Sequence, residues 1–503
     1  MNGHSADSAP GSDGSGSTET SPLLNGNSER STVVQHQRRV IVVLFTMFFL
    51  LEFGAGLLLP GSSAALEQKI CDERYSNIAP IDRDCKSPDV QGQFAVLKGW
   101  QTMLDCVPGL IVAVPFGILS NKWGRHRVLS LAFTGITLGL AFLVTVLYFD
   151  VLPANLILVS PVFMLLGGGP AVITAMLYTS IADITPVSAR APIFLQLSAL
   201  FILSEIGSGP LAGLILLKST WGLIGLASVF YVLATATTFL LPDTLSISKI
   251  TTTHDGSRED QSGDATASST STLQESLRRI SEGVHEIRSF LKGHGRAIVM
   301  MFCYVFVALS KVVQLMLLQY TTKRYHWTWS KASFLLTIRS IVSLVVLIVV
   351  LPALTQLLTV RYKVGVIRRD VWITRVTGLA GVLGSLLIAF ASTPDILILG
   401  LVTFAIHGGM TAVLRSLLSN MVEPRHLGTM NSLLGILEMI ALMLGAPALF
   451  SSFRLGLELS GDWIGLPFIC AAAMIAFSTI IVFVLPVRAS KGHVDLLSTE
   501  DES

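Results

Sequence analysis

Away from the ends of apolar runs of membrane-spanning length stand Glu52, Asp105 and Glu205 in the first half of the chain, and Lys311, Arg339, Arg375, His407, Arg415 and Glu438 in the second. A charge at the centre of a membrane helix costs about 2.5–3.5 kcal/mol on insertion scales, so such residues face a cavity or a partner. Acids opposite bases across a central cavity can exchange a proton for substrate. A carboxyl in an apolar site holds its proton more tightly than in water, and an approaching cation releases it. Glu205, Asp105 and Arg339 are the first choices for that exchange, with Lys311 as a contact for an anion. Arg375 and Arg415 stand closer to the cytoplasmic ends of their runs, where gating is the expected role. The alternative for each of these residues is static pairing that holds two halves of the protein together.

A second constellation lies in "GILSNKWGRHRVLS", Gly117 to Ser130, where Lys122, Arg125, His126 and Arg127 crowd between two apolar runs. A link held between two helix ends and hinged by Gly117 and Gly124 lets basic side chains reach acids and carbonyl ends on neighbouring helices. Such contacts can stabilise one arrangement of two rocking halves. Fixing topology is the simpler alternative, but topology would not require the glycines. Two further segments, "GGPAVITAMLYTSIAD" (168–183) and "GGMTAVLRSLLSNMVE" (408–423), match without a gap. Each begins with Gly-Gly inside an apolar run and ends in an acid, Asp183 or Glu423, followed by Arg190 or Arg425. The same position in both halves is what internal duplication produces, and repeats with substrate bound at their interface are a transporter design.

The elements that must carry these residues are membrane helices. Mean hydropathy is +0.66, and charged residues make up only 14% of the 503. Lys and Arg are scattered at a formal net charge of +2, which gives no basic stripe for nucleic acid. Runs of about 20 apolar residues recur twelve times: near 40–60, 96–120, 128–149, 154–182, 191–216 and 220–241, then near 296–320, 332–358, 371–391, 395–418, 430–452 and 463–487. The pattern predicts an all-α membrane protein of twelve helices in two pseudo-symmetric six-helix bundles. The expected organisation is a disordered cytoplasmic tail 1–38, a first bundle 39–245, a cytoplasmic linker 246–295, a second bundle 296–488 and a tail 489–503. Within the linker, Leu273, Leu277, Ile280, Val284, Ile287 and Leu291 form one apolar helical stripe, started by a Thr272/Glu275 capping box. Arg38 and Arg39 before the first run, and the basic links after the second and eighth, put both termini in the cytoplasm by the positive-inside rule. Lys323, Arg324 and Lys331 dissent from it.

"GILSNKWGRHR" resembles motif A of the major facilitator superfamily, Gly-x-x-x-Asp-Arg/Lys-x-Gly-Arg-Arg/Lys, in its expected place between the second and third spans. Gly117, Lys122, Gly124, Arg125 and Arg127 match, His126 replaces a basic residue, and Asn121 stands where the family usually has Asp. "GPLAG", with Gly209, Pro210 and Gly213, matches the core of motif C, associated with proton-coupled antiporters, while the Arg of motif B is missing from the fourth span. The likeness covers nearly the whole chain and is nearest to fungal efflux members, with a distant similarity to proton-coupled folate transporters. The resemblance implies that Arg125 and Arg127 pair near Asp183 and close an inner gate when the site faces outward.

Cys71 and Cys85 share the long link 61–95 on the non-cytosolic side, where a disulfide is chemically permitted. Cys106, Cys303 and Cys470 sit singly in spans. There is no HExxH, paired CxxC or Walker pattern, so neither a metal site, another cofactor nor ATP drive is expected. No nucleophile–base set points to an enzyme. "ETSPLL", with Glu19, Leu23 and Leu24, fits an acidic dileucine sorting pattern, leaving the vacuolar membrane open beside the plasma membrane. The resulting expectation is a monomeric secondary transporter whose partners are a small organic substrate, protons and the bilayer, working as a proton-coupled exporter of a metabolite or drug. Proton-coupled uptake and a non-transporting nutrient receptor are the alternatives.

Overall fold

In lipid, every backbone N–H and C=O must find its partner inside the chain, and continuous apolar runs do so as helices. The computed structural model describes residues 23–185, 187–241, 295–422 and 427–485. Among them are twelve helices long and apolar enough to cross a membrane. The first six are α1 (Leu23–Arg74), α2 (Pro88–Trp123), α3 (Arg125–Tyr148), α4 (Ala154–Ile184), α5 (Val187–Leu216) and α6 (Thr220–Thr238). The second six are α7 (Gly295–Arg324), α8 (Trp329–Arg361), α9 (Val366–Ala389), α10 (Pro394–Met421), α11 (Leu427–Leu459) and α12 (Gly461–Val484). Their starts carry ordinary signals. Pro88 and Pro394 occupy first-turn positions that need no N–H, and the Ser219 and Thr328 side chains cap α6 and α8 by accepting from Gly222 N and Lys331 N.

α1 departs most from expectation. Residues 23–38, expected as disordered tail, are helical, and residues 61–74, expected as link, continue the same helix. Hydropathy finds the part of a helix that sits in lipid. Here Leu66, Ile70 and Cys71 also bury their side chains against other helices, so packing extends α1 past its apolar run. The link to α2 is therefore only 75–87. Glu19, the apolar stripe of the 246–295 linker and tail 489–503 lie outside the described residues, as do Glu423 and Arg425; Leu23 and Leu24 open α1.

α1 to α6 pack on one another, as do α7 to α12, with α1 against α5 and α6 and α9 against α10 and α12. Contact between the halves runs through α2 with α11, α5 with α8, and α1 with α8. Buried Trp329, Ala332 and Leu336 of α8 join the apolar core of the first half, and Ala95 of α2 joins that of the second. The duplicated segments occupy matching places: α4 breaks at Gly167–Gly168 and α10 at Gly408–Gly409, and each then resumes as an α-helix. In α4 the break needs glycine, because Gly168 and Gly169 have φ of 84° and 62°.

Candidate functional site

α5 and α8 bring the strongest polar contact between the halves. Arg339 on α8 donates to Glu205 Oε1 on α5 at 2.7 Å, and Ser340 Oγ donates to Glu205 Oε2 at 2.7 Å. Arg339 also donates to Gln314 Oε1 on α7 at 3.3 Å. Both carboxylate oxygens are thus occupied from the opposite half, in a pair whose side chains are only 17% and 29% exposed. This differs from a lone desolvated carboxyl. Removing one partner of such a pair strands the other charge away from water.

Glycines make this approach achievable. A side-chain carbon on Gly209 would meet Thr337 Oγ1 at 2.3 Å, and one on Gly213 would meet the Phe334 ring at 2.7 Å and Ser330 O at 3.0 Å. Ser330 Oγ donates to Gly213 O at 2.6 Å. The "GSGPLAG" segment therefore serves as a flat surface for α8, with Pro210 one residue after Gly209 inside the continuous helix.

The other intramembrane charges form smaller groups. Glu52 on α1 lies within electrostatic range of Glu205, and Asp105 on α2 within range of Lys98. Neither acid has a cation within ion-pair distance among the described residues. Lys98 Nζ donates to Gln101 Oε1 at 3.2 Å. In the second half, Arg415 and Glu438 stand 3.7 Å apart with roughly half of each side chain exposed, bridged by Tyr304, whose hydroxyl donates to Glu438 Oε2 and accepts from Arg415, both at 3.1 Å. Lys311 Nζ donates to Thr411 Oγ1 at 2.8 Å, on the duplicated segment. His407 is fully buried, with Ser310 Oγ 3.3 Å from its Nε2 and Gly381 against its ring. Arg375 donates to the carbonyls of Val482 and Phe483 at the end of α12 and lies over the Phe483 ring. That placement caps a helix C-terminus.

A cavity of about 60 Å³ between the halves is bordered by Ser63, Lys98, Thr102, Leu315, Gln319 and Trp329, among others. Asp105 follows Thr102 by almost one helical turn, and Glu52 precedes Leu59, another bordering residue, by two. Both acids therefore continue the cavity-facing stripes of α2 and α1 toward the opposite end of the helices.

At that opposite end, α2 passes into α3 through Gly124 alone, whose φ of 93° suits glycine. Arg125 Nε lies 2.6 Å from Asp183 Oδ2. Arg190 donates to the carbonyls of Ala182 and Thr185 at 2.8 and 3.1 Å, closing the end of α4. Lys122 and Arg127 are exposed, and Asn121 lies on the last turn of α2. The Arg125–Asp183 pair is internal to the first half, so by itself it does not tie the two halves together. It coexists here with halves joined at the other end. Gly117 has open space around its Cα, so packing does not require a glycine there. The second half carries a comparable knot: Arg369 bonds Asp370 at 2.9 Å, and Ser416 donates to Asp370 at 2.8 Å.

Cys71 and Cys85 are joined in a disulfide at the end where the halves meet. Lys98, Tyr304, Ser340 and Asp370 are the contributors that sequence reasoning missed. Lys98 sits just inside the second apolar run and reads there as a headgroup charge, whereas hydroxyls give no signal in a hydropathy pattern.

The sequence profile of the Major Facilitator Superfamily matches residues 88–446. The chain is 30% identical over 461 residues to the MFS efflux pump atnC of Emericella nidulans, covering 87% of this chain and 86% of that protein. It is 28% identical to the efflux pump ustT of Aspergillus flavus, covering 84% and 83%. Among solved structures, a D-xylose–proton symporter superposes with a TM-score of 0.60 at 13% identity, covering 90% of this chain and 98% of that one. Helix order, the duplicated broken helices, the motif link and these likenesses agree: the chain is a multi-pass membrane transporter of the Major Facilitator Superfamily.

Proposed function

We propose that the protein exports a small organic molecule in exchange for protons, with Glu205 as the carboxyl that couples the two. The observation that carries this reading is the Glu205–Arg339 pair, which spans the two halves at 2.7 Å. With Glu205 ionised, Arg339 and Ser340 hold α8 against α5. Substrate entering from the motif end loosens that contact as the halves rock. On the disulfide side substrate leaves, a proton occupies Glu205 in place of the charge that Arg339 requires, and the protonated halves rock back toward the motif-open arrangement. Loss of the proton to the cytoplasm restores the pair. Glu52, in range of Glu205, and Asp105, which continues the cavity-facing stripe of α2, modulate the exchange, while Lys311, Arg415 and Glu438 face substrate from the other half. Arg125, Asp183 and Arg190 shape the inner gate together with Lys122 and Arg127, and Glu423 and Arg425 are assigned the equivalent place in the second half.

The basic links favour a cytoplasmic motif end by the positive-inside rule, so the arrangement with the halves joined at the disulfide end is read as the one that loads from inside. The efflux-pump relatives support outward movement, and the plasma membrane is the proposed location. Glu205→Gln tests the assignment, because it mimics the protonated state permanently. The variant is expected to bind substrate and to exchange it across the membrane, but to lose accumulation driven by a proton gradient. Undiminished accumulation would move the coupling site to Asp105 or Glu52.

A further inference from the structure

The disulfide end is closed by a buried carboxylate that none of the sequence motifs includes. Glu67, on the part of α1 that runs beyond its apolar stretch, is 7% exposed. Its Oε1 accepts from Lys86 Nζ at 2.6 Å and also from Gln91 Nε2. Its Oε2 accepts the indole N–H of Trp329, at the start of α8 in the other half, at 2.6 Å. Around this centre the halves exchange more contacts. Gln319 of α7 donates to Gln91 O at 2.8 Å, Lys323 donates to Lys86 O, and the Lys86 ammonium lies 5.4 Å from the centre of the Trp329 ring.

The three first-half residues in this knot are placed by the Cys71–Cys85 disulfide. Cys71 follows Glu67 by one helical turn, Cys85 immediately precedes Lys86, and the Cys85 carbonyl accepts from Gln91 Nε2 at 3.0 Å. The link 75–87 is otherwise held by partly buried contacts that do not reach the other half: Arg83 with Asp72 at 2.5 Å, and Tyr75 with Ser87 at 3.0 Å. A cross-link removes alternative positions of the link, so Lys86 and Gln91 stay where they can share one carboxylate. A buried carboxylate with three donors keeps its geometry, because loss of any donor leaves charge unmatched in a dry site.

We propose that Glu67 is the latch of the outer gate: a positioning residue that holds Trp329, and with it α8, against the first half, and that the disulfide presets it for that contact. The latch rests on the alternating-access reading, but its test needs neither substrate nor gradient. Each opening toward the disulfide side must break the Glu67–Trp329 bond, so the strength of that bond sets the population of the open state.

The test measures distances between paired spin labels in nanodiscs, with Cys106, Cys303 and Cys470 replaced by Ala. Val151→Cys and Ser392→Cys, exposed links of opposite halves at the disulfide end, report the gate. Val151→Cys with Lys122→Cys, at opposite ends of the first half, reports whether that half is intact. The unaltered latch should give one short gate distance. Glu67→Gln, Trp329→Phe and the Cys71→Ser/Cys85→Ser pair should each raise a longer-distance population by about tenfold, as loss of a charge-assisted bond from one of two states requires, while the within-half distance stays fixed. Should Glu67→Gln disturb the within-half distance, Trp329→Phe decides alone. Gate distances unchanged in both Glu67→Gln and Trp329→Phe would overturn the latch, and a shift without the disulfide effect would overturn the presetting role. Transport failure in Glu205→Gln leaves both outcomes readable.

Discussion

Arg125 and Glu205 are two charged residues with opposite reach. The Glu205 carboxylate is held by Arg339 and Ser340 from the other half, so its charge state acts directly on how the halves meet. Arg125 reaches Asp183 inside its own half, so the gating role proposed for it would run through the shape of the motif end. Arg125→Ala leaves Asp183 without its ion pair and the end of α4 held by Arg190 alone. The variant is expected to fold and reach the membrane, and its turnover to fall by roughly tenfold, the effect of about 1.4 kcal/mol lost from one conformation. Substrate flux normalised to surface expression checks this, and normal flux would remove the gating role. Asn121→Asp, which restores the residue usual in the family, should be tolerated or should slow opening of the motif end.

At the scale of elements, the proposed mechanism needs α5 to pack against α8 when the disulfide end shuts. Gly213→Val would drive a branched side chain into the Phe334 ring and the Ser330 carbonyl, both within 3.0 Å of the position a Cβ would take. α8 would be displaced and the Glu205–Arg339 pair stretched. The variant is expected to insert normally and to lose transport by roughly 100-fold, since one of two required conformations is removed; flux and the gate spin-label distance together check it. Gly117→Ala is the contrast. Nothing approaches that position, and alanine favours helix over glycine by about 1 kcal/mol, so flux should be unchanged and thermal stability equal or higher. The twelve spans and the intramembrane charges were legible in the sequence because lipid imposes length, and because charge in lipid is rare. Glu67 was not. It lies where α1 has left its apolar run, and only the packing of Leu66, Ile70 and Cys71 shows that the helix continues. The choice of Arg339 as the partner of Glu205 depends on which helices meet across the halves. No periodicity within a single helix encodes that.

For the whole molecule, contacts between the halves gather toward one end. α2 lies on α11 and α5 on α8, with Gly92 against the Arg454 stem and Gly99 against Phe450 and Pro447. The motif end is held instead by contacts internal to each half, Arg125–Asp183 in the first and Ser416–Asp370 in the second. Such a molecule can rock about its middle by exchanging one set of contacts for another, with each half moving as a packed body. The proposed proton cycle makes this rocking directional. Its most direct test is a flux measurement in proteoliposomes of uniform orientation, loaded with a pH-sensitive dye. The solute is a metabolite that overexpressing cells release and deletion cells retain. With the pH lower on the disulfide side, solute supplied at the motif side should accumulate against its own gradient. Protons should appear at the motif side in step with it, and a protonophore should abolish the accumulation. Accumulation that persists after the proton gradient is collapsed, or solute movement with no accompanying proton movement, would contradict proton-coupled export.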